Sequence, residues 1–420
     1  MSFQQGLSGL NATSKNLEVI GNNIANANTF GAKASRAEFS DVYANALNGA
    51  GSNAIGIGTQ LAAVSQLFTQ GNVTSTNGPM DLAINGAGFF QVSDGQNPAL
   101  YSRNGQFKVD RDGFIVNNAE LRLMGYAADG TGVIQPGNAV ALQLPTAGIN
   151  PQATSEIQIE MNLDSRAATT APTVGAAIDF NDPKTYNNAT SLTVYDSLGQ
   201  NVALTYYFQK AATDTWKVFI TANGTPINGT AALPLATTTI VFPPGGGAPT
   251  APVGPVSFDI PATANSVGAQ ALPITGVALE LGGARQYGAG FGVTNLSQNG
   301  YAPGQLTGIN IESNGIVMAR YSNGQSKPAG QIELATFRNP QGLQPQGGNA
   351  WARSFASGDP IVGVAGQGNL GVLQSGALEE SNVDLTAELV SLITAQRVYQ
   401  ANAQTIKTQD QVMQTLVNLR

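Results

Sequence analysis

The chain has 420 residues, of which 11% are charged, a net charge of −7, and neither Cys nor His. So acidic and sparsely charged a sequence excludes nucleic acid and anionic membrane as main partners, because both select basic patches. The missing Cys and His exclude disulfide frameworks, thiolate metal sites and the imidazole chemistry behind most acid–base, nucleophilic and zinc centres.

At the N-terminus Phe3, Leu7, Leu10, Ser14, Leu17, Gly21 and Ile24 recur at alternating four- and three-residue steps, which predicts a helix. Gly6, Gly9 and Gly21 weaken that helix by about 1 kcal/mol each relative to Ala. The segment lacks the basic start and apolar run of a cleaved signal peptide, so a cytosolic protein or one exported by a signal-independent route is expected. One Lys and one Glu in the first thirty residues do not make the basic face of an interfacial anchor. No run of 18 apolar residues follows anywhere, so membrane insertion is not expected.

Asn22, Asn23, Asn26 and Asn28, followed by Gly31, predict a helix-ending turn built from side-chain to backbone hydrogen bonds. Residues 34–70 read as a mixed connector, with apolar Phe39, Val42 and Tyr43 and then a loop over 49–58. From 71 to 145 short apolar runs are punctuated by Asn77-Gly78, Asn85-Gly86, Asp94-Gly95, Asn104-Gly105 and Asp112-Gly113, which predict an antiparallel β body joined by hairpins. Asp110 and Asp112 lack the further ligands of a calcium loop, and as neighbours in a turn they make a poor catalytic pair.

Residues 146–283 form a second β segment, with clean alternation over 157–163 and a turn over 196–199 splitting two strands. Nine acidic residues against four basic ones there account for most of the chain's net charge, which suits a water-exposed domain. Asp196 and Asp214 are the only near-strand acids that a glycosidase reading could use, and nothing in the sequence orients them. Residues 284–375 return to the first pattern, with a strand over 331–337 and Trp351 in the core. The Gly cluster over 363–368 lacks the Lys and helix of a phosphate loop.

The tail, 384–420, contains no Gly or Pro in a chain that has 50 and 21 of them. Leu385, Leu389, Leu392, Gln396, Tyr399, Ala403, Ile406, Asp410, Met413 and Val417 keep the four–three spacing, predicting one helix roughly 55 Å long with Asp384 as its N-cap. Its outer positions carry amides rather than charges, among them Gln400, Asn402, Gln404, Gln411 and Gln414. A lone surface helix normally shows charge there, whereas amides suit a helix surrounded by copies of itself. The two ends of the chain are expected to meet each other and other copies; the alternative is an ordinary antiparallel helix pair closing a monomeric domain, in a chain that is low in charge throughout.

Several long stretches also resemble one family. LSGLNATSKNLEVIGNNIANANTFGAK (7–33) and ELVSLITAQRVYQANAQTIKTQDQVMQTLVNLR (388–420) resemble the paired terminal signatures of the bacterial flagellar rod and hook axial proteins. FTQGNVTSTNGPMDLAINGAGFFQV (68–92) and YSRNGQFKVDRDGFIVN (101–117) resemble their body segments, and GALEESNVDLTAELV (376–390) resembles the hook branch's approach to the terminal helix. Ala32 departs from the pattern, which usually carries an aromatic residue before the Lys; one local packing contact is loosened there.

The resemblance implies an α+β multidomain chain whose terminal helices pair as a coiled-coil-like core, with two nested, mainly antiparallel β domains. The expected division is a helical core of 1–30 and 380–420, a connector of 31–70 with 360–379, an inner β domain of 71–145 and 284–359, and an inserted outer β domain of 146–283. It implies a structural subunit of the flagellar hook, a curved hollow tube of many copies that couples rod to filament, with the distal rod subunit as the alternative. Implied partners are further copies, the distal rod protein, the hook cap, the hook–filament junction proteins and the flagellar type III export apparatus. The self-assembly interface is expected at Phe3, Leu7, Leu10, Leu17, Ile24, Leu385, Leu389, Leu392, Tyr399, Ile406, Met413 and Val417. No catalytic, cofactor-binding or metal site is expected.

Overall fold

The computed structural model describes residues 2–42, 56–170, 178–264 and 268–418, apart from the side chains of residues 2, 3 and 416–418. Tyr43 and most of the expected loop over 49–58 lie outside the described residues. Two long helices, α1 (Ser2–Ala25) and α2 (Leu385–Asn418), stand at the ends of a chain that is otherwise almost entirely strand and turn. α2 starts where its cap dictates: Asp384 Oδ1 accepts the N–H groups of Thr386 and Ala387 at 2.9 and 3.1 Å, with Glu388 following in the positive first turn.

Backbone contacts divide the chain into two compact units. The first comprises Met1–Thr146, Gly308–Arg320 and Ser326–Arg420. Within it α1 is followed by an antiparallel hairpin, β1 (Ser35–Val42) and β2 (Gly58–Gln66), bulged between Glu38 and Phe39. The main sheet of this unit sets Ile316–Tyr321, Ser326–Thr336, Arg122–Ala127, Phe89–Ser93, Leu100–Ser102 and Ala350–Ala352 side by side, antiparallel throughout. Phe90, Val92, Leu123, Ile332 and Leu334 from these strands share one core with Leu82 and Ile84, which come from the separate strand Leu82–Asn85 paired with Val372–Ser375. A second, aromatic core holds Trp351 as expected, in edge contact with Phe68 and Phe89, while its indole N–H donates to Gln66 Oε1.

The Asn-Gly and Asp-Gly pairs serve two purposes. Asp94-Gly95 and Asp112-Gly113 do reverse the chain between paired strands. Asp110 Oδ1 accepts the N–H groups of Asp112 and Phe114, so this carboxylate is spent on the turn. Asn85-Gly86 and Asn104-Gly105, expected to be hairpins, follow strands that pair elsewhere. Gly105 is there for space: a Cβ on it would sit 1.7 Å from the Leu82 carbonyl oxygen.

The second unit comprises Ala147–Thr307 and Tyr321–Gln325. It holds two five-stranded sheets, one centred on Glu156–Asp164 and the other on Asn201–Ala212 and Thr215–Ala222. Their inward residues, including Ile157, Ile159, Met161, Leu163, Tyr206, Phe208 and Trp216, make one core. The expected boundary after 283 falls within the first of these sheets, because Arg285–Tyr287 and Gly292–Gln298 both pair with Glu156–Asp164. Two pairings of Glu156–Asp164 are parallel, which the long excursions between the paired strands permit. Asp196 is fully buried: Oδ1 takes the N–H groups of Leu198 and Gln200, and Oδ2 that of Leu272. Asp214 sits at φ +57° and accepts Gln286 Nε2. Asp196 is thus occupied in holding a turn, and Asp214 in binding the Gln286 amide.

Candidate assembly face and a buried junction of the chain ends

α1 and α2 run antiparallel, and two glycines bring them close. A Cβ on Gly6 would lie 3.1 Å from Ile406 Cγ1, and one on Gly9 2.9 Å from the Asn402 amide nitrogen. At the far end Asn23 Nδ2 donates to Glu388 Oε1 at 2.9 Å. The side of α1 that is buried or half-buried therefore runs Gly6, Gly9, Thr13, Asn16, Ile20 and Asn23, small and polar residues for the most part. These glycines weaken the isolated helix, as their propensity dictates, yet they are what allows the close approach.

The four–three ladder expected on α1 lies one residue further along, about 100° round the helix. Leu7 is exposed, and Leu10, Leu17 and Ile24 are half-buried. On α2 Leu385, Leu389, Tyr399 and Met413 are exposed, whereas Leu392 and Ile406 are half-buried. The side chains of Phe3 and Val417 are outside the described set. Among the described side chains of α2 only Ala395 is fully buried. Val390 and Ile393 are also 60% and 50% exposed, so the helix displays apolar surface around much of its girth.

The Asn-rich turn ties the helix pair to the rest of its unit. Asn26 Nδ2 donates to Asn22 O, closing α1, and Asn28 is exposed. The buried Asn23 bridges three segments: its Oδ1 accepts Ser35 N–H, and its Nδ2 donates to Ser35 O as well as to Glu388. Gly31 adopts φ +71°, and a Cβ there would lie 2.5 Å from the Asn104 nitrogen, so only Gly fits. Its N–H donates to Glu379 O. Asn382, from the approach to α2, accepts Ala34 N–H and donates to Leu67 O.

At the centre lies an ion cluster that sequence reading did not anticipate. Lys33 Nζ meets Glu379 Oε1 at 2.6 Å, Arg103 meets Oε2 at 3.1 Å, and Gly71 N–H donates to Oε1. Lys33 also donates to Thr69 O, and Arg103 to Gly86 O. Burial pushes the Lys33 ammonium down from its ordinary value, with Glu379 pulling it part of the way back, and the Arg103 guanidinium responds in the same way. The available signal was a lone Lys between alanines and the only adjacent Glu pair in the sequence, Glu379-Glu380. Among the described residues no group of three or more acidic side chains gathers as a metal site, and no helix is long and apolar enough to cross a membrane.

Family models match this chain in order along its length. Flagella basal body rod protein matches 3–33, and the Flagellar hook protein FlgE/F/G D1 domain matches 83–168. The Flagellar basal body protein FlaE D2 domain matches 162–301, and the Flagellar basal body rod FlgEFG protein C-terminal matches 374–419. The chain is 40% identical to the flagellar hook protein FlgE of Salmonella typhimurium, over 100% of both chains. The chain belongs to the flagellar hook protein family. The hook protein FlgE of Escherichia coli is likewise 40% identical over 100% of both chains, and that of Rhizobium meliloti 33% over 100% of this chain and 98% of the relative. Among solved structures, the Helicobacter pylori flagellar hook protein FlgE2 shares the fold, with a TM-score of 0.55 at 16% identity over 73% of this chain and 100% of that one.

Proposed function

We propose that this hook protein polymerises through its terminal helices into a curved hollow tube that acts as a universal joint, passing motor torque from rod to filament. It is a homo-polymeric component of the flagellar hook, as the end-to-end match to hook proteins supports. The observation that carries the assembly mechanism is α2 itself, whose apolar side chains are exposed along its described length in the single chain. Unpaired apolar surface on a helix that long is stabilised by neighbouring copies. Contacts between unlike patches that do not close a ring generate an open helical tube.

In this reading the helices pair as a coiled-coil-like core, the β body of the first unit forms the inner layer, and the second unit, Ala147–Thr307 with Tyr321–Gln325, the outer surface. The ladder residues Leu7, Leu10, Leu385, Leu389 and Met413 face neighbouring copies, with Phe3, Leu17, Ile24, Leu392, Tyr399, Ile406 and Val417 completing the seam. The tube would meet the distal rod protein at one end, the cap during growth and the hook–filament junction proteins at the other, after export without a cleaved signal through the type III apparatus. The hook reading stands above the distal rod alternative, because the relatives matched over the whole chain are named hook proteins.

Deletion of 384–420 tests the mechanism. The truncated chain should keep a folded β body and form no tubes; normal tubes from it would sink the reading. Immunogold microscopy of extracted basal bodies, with antibody to 146–283, should label a curved segment outside the outer ring. Label on the straight axle would move the assignment to the rod.

A further inference from the structure

α2 is longer than its partner, and the register of the pair places the excess. Gly6 faces Ile406, Gly9 faces Asn402 and Asn23 bonds Glu388. Continued to the start of α1 at Ser2, that antiparallel register ends opposite Gln409. Residues 410–418 therefore run past α1 as a free helical tip about 13 Å long. Every described side chain from Asp410 to Thr415 is exposed, Val412 at 48% and Met413 at 56%, and no charged residue follows Asp410 before Arg420.

The same unit carries a groove that such a tip fits. It is an open cleft of ≈ 530 Å³ between the helix pair and the β1–β2 hairpin, walled by Thr13 and Asn16, by Val390, Thr394 and Val398, and by Phe39. No Lys, Arg, Asp or Glu lines it, and Val390, Val398 and Phe39 are 60%, 46% and 40% exposed. Its wall on α2, from Val390 to Asn402, is about 18 Å long, enough for the tip. The tip cannot enter its own groove, because both belong to one continuous helix.

We infer that in the polymer this groove is filled by residues 410–418 of a second copy. The inference rests on the hook-polymer reading and deepens it, naming one contact of the assembly. Tip and groove are different patches of one surface, so the contact is heterologous and propagates from copy to copy. Beyond Asp410 the tip carries no charge, and the groove lining carries none, so identical subunits meet there without like-charge repulsion.

The absence of Cys makes a direct test possible. Thr394→Cys is combined in turn with Met413→Cys, Gln414→Cys and Thr415→Cys, the variants are polymerised and oxidised, and non-reducing gels are read. At least one pair should give a ladder of linked multimers, with each single variant giving none. If a double variant does not polymerise, the two single variants mixed into unsubstituted protein read the same contact as dimers. Tubes of normal form that stay monomeric in all three pairs overturn the tip-in-groove contact and leave the hook reading standing. Linking of Thr394→Cys to Leu7→Cys instead would seat a neighbour's α1 in the groove and overturn it too. Failure of the unsubstituted chain to form tubes removes the hook-polymer reading, and the proposal with it.

Discussion

Lys33 and Glu379, from opposite ends of the chain, form an ion pair at 2.6 Å with neither side chain exposed to solvent. Arg103 shares the same carboxylate, so two buried cations depend on one anion. A buried charge that loses its partner costs about 3–5 kcal/mol. Glu379→Leu should therefore destabilise the first unit by that much in urea unfolding. Lys33→Met should cost less, because Arg103 and the Gly71 N–H remain on the carboxylate. Equal losses from the two substitutions would show that the carboxylate is not the keystone.

Buried Glu333 and half-buried Tyr126 form a second pair, with the tyrosine hydroxyl donating to the carboxylate at 2.7 Å. Burial raises the Glu333 pKa, partly offset by that hydrogen bond, and burial with the neighbouring carboxylate pushes Tyr126 up to about 12. A carboxyl group whose folded pKa is raised keeps its proton longer in the native state. Stability therefore falls as pH rises from the unfolded value, about 4.3, to the raised folded one, and stays lower above it. Glu333→Gln should flatten the thermal midpoint across that window. By the same sign Tyr126 destabilises the fold between about pH 10 and 12, and Tyr126→Phe should remove that alkaline slope. A profile unchanged in both variants would exclude this pair as its source.

The helix glycines should part company on substitution. Gly21 has nothing within 4 Å of a built Cβ, so Gly21→Ala should stabilise α1 by about 1 kcal/mol through propensity alone. Gly9 faces Asn402 at 2.9 Å, so Gly9→Leu should push α2 away and abolish tubes while the β body still melts normally. Electron microscopy with calorimetry checks both; tubes from Gly9→Leu would mean that the close helix contact is dispensable.

Ala32 stands where the family pattern carries an aromatic residue, and it lines a pocket of ≈ 370 Å³ together with Asn22, Asn26, Gln66 and Trp351. Filling space of this kind commonly adds about 1 kcal/mol, worth roughly 2–4 °C in a unit of this size. Ala32→Tyr should raise the thermal midpoint accordingly. A fall would show that the pocket cannot take a ring without displacing the Asn23 bridge.

What the sequence determined by itself was whatever a few neighbouring residues settle among themselves. The Asp384 cap, the Asp110 turn, the Asn-rich end of α1, the 157–163 alternation and the existence of two long terminal helices all rest on interactions within one turn or one pleat. Only the tertiary structure decided the rest. The ladder on α1 and the stripe it buries share one spacing and differ by a single residue, so periodicity cannot choose between them. The choice fell to Gly6 and Gly9, against which the Ile406 and Asn402 side chains of α2 can seat. The Lys33–Glu379–Arg103 cluster joins residues hundreds of positions apart, and Asn104-Gly105 answers to a carbonyl on another strand. Such contacts leave no local signature, because their partners are selected by the folded shape rather than by the neighbouring sequence.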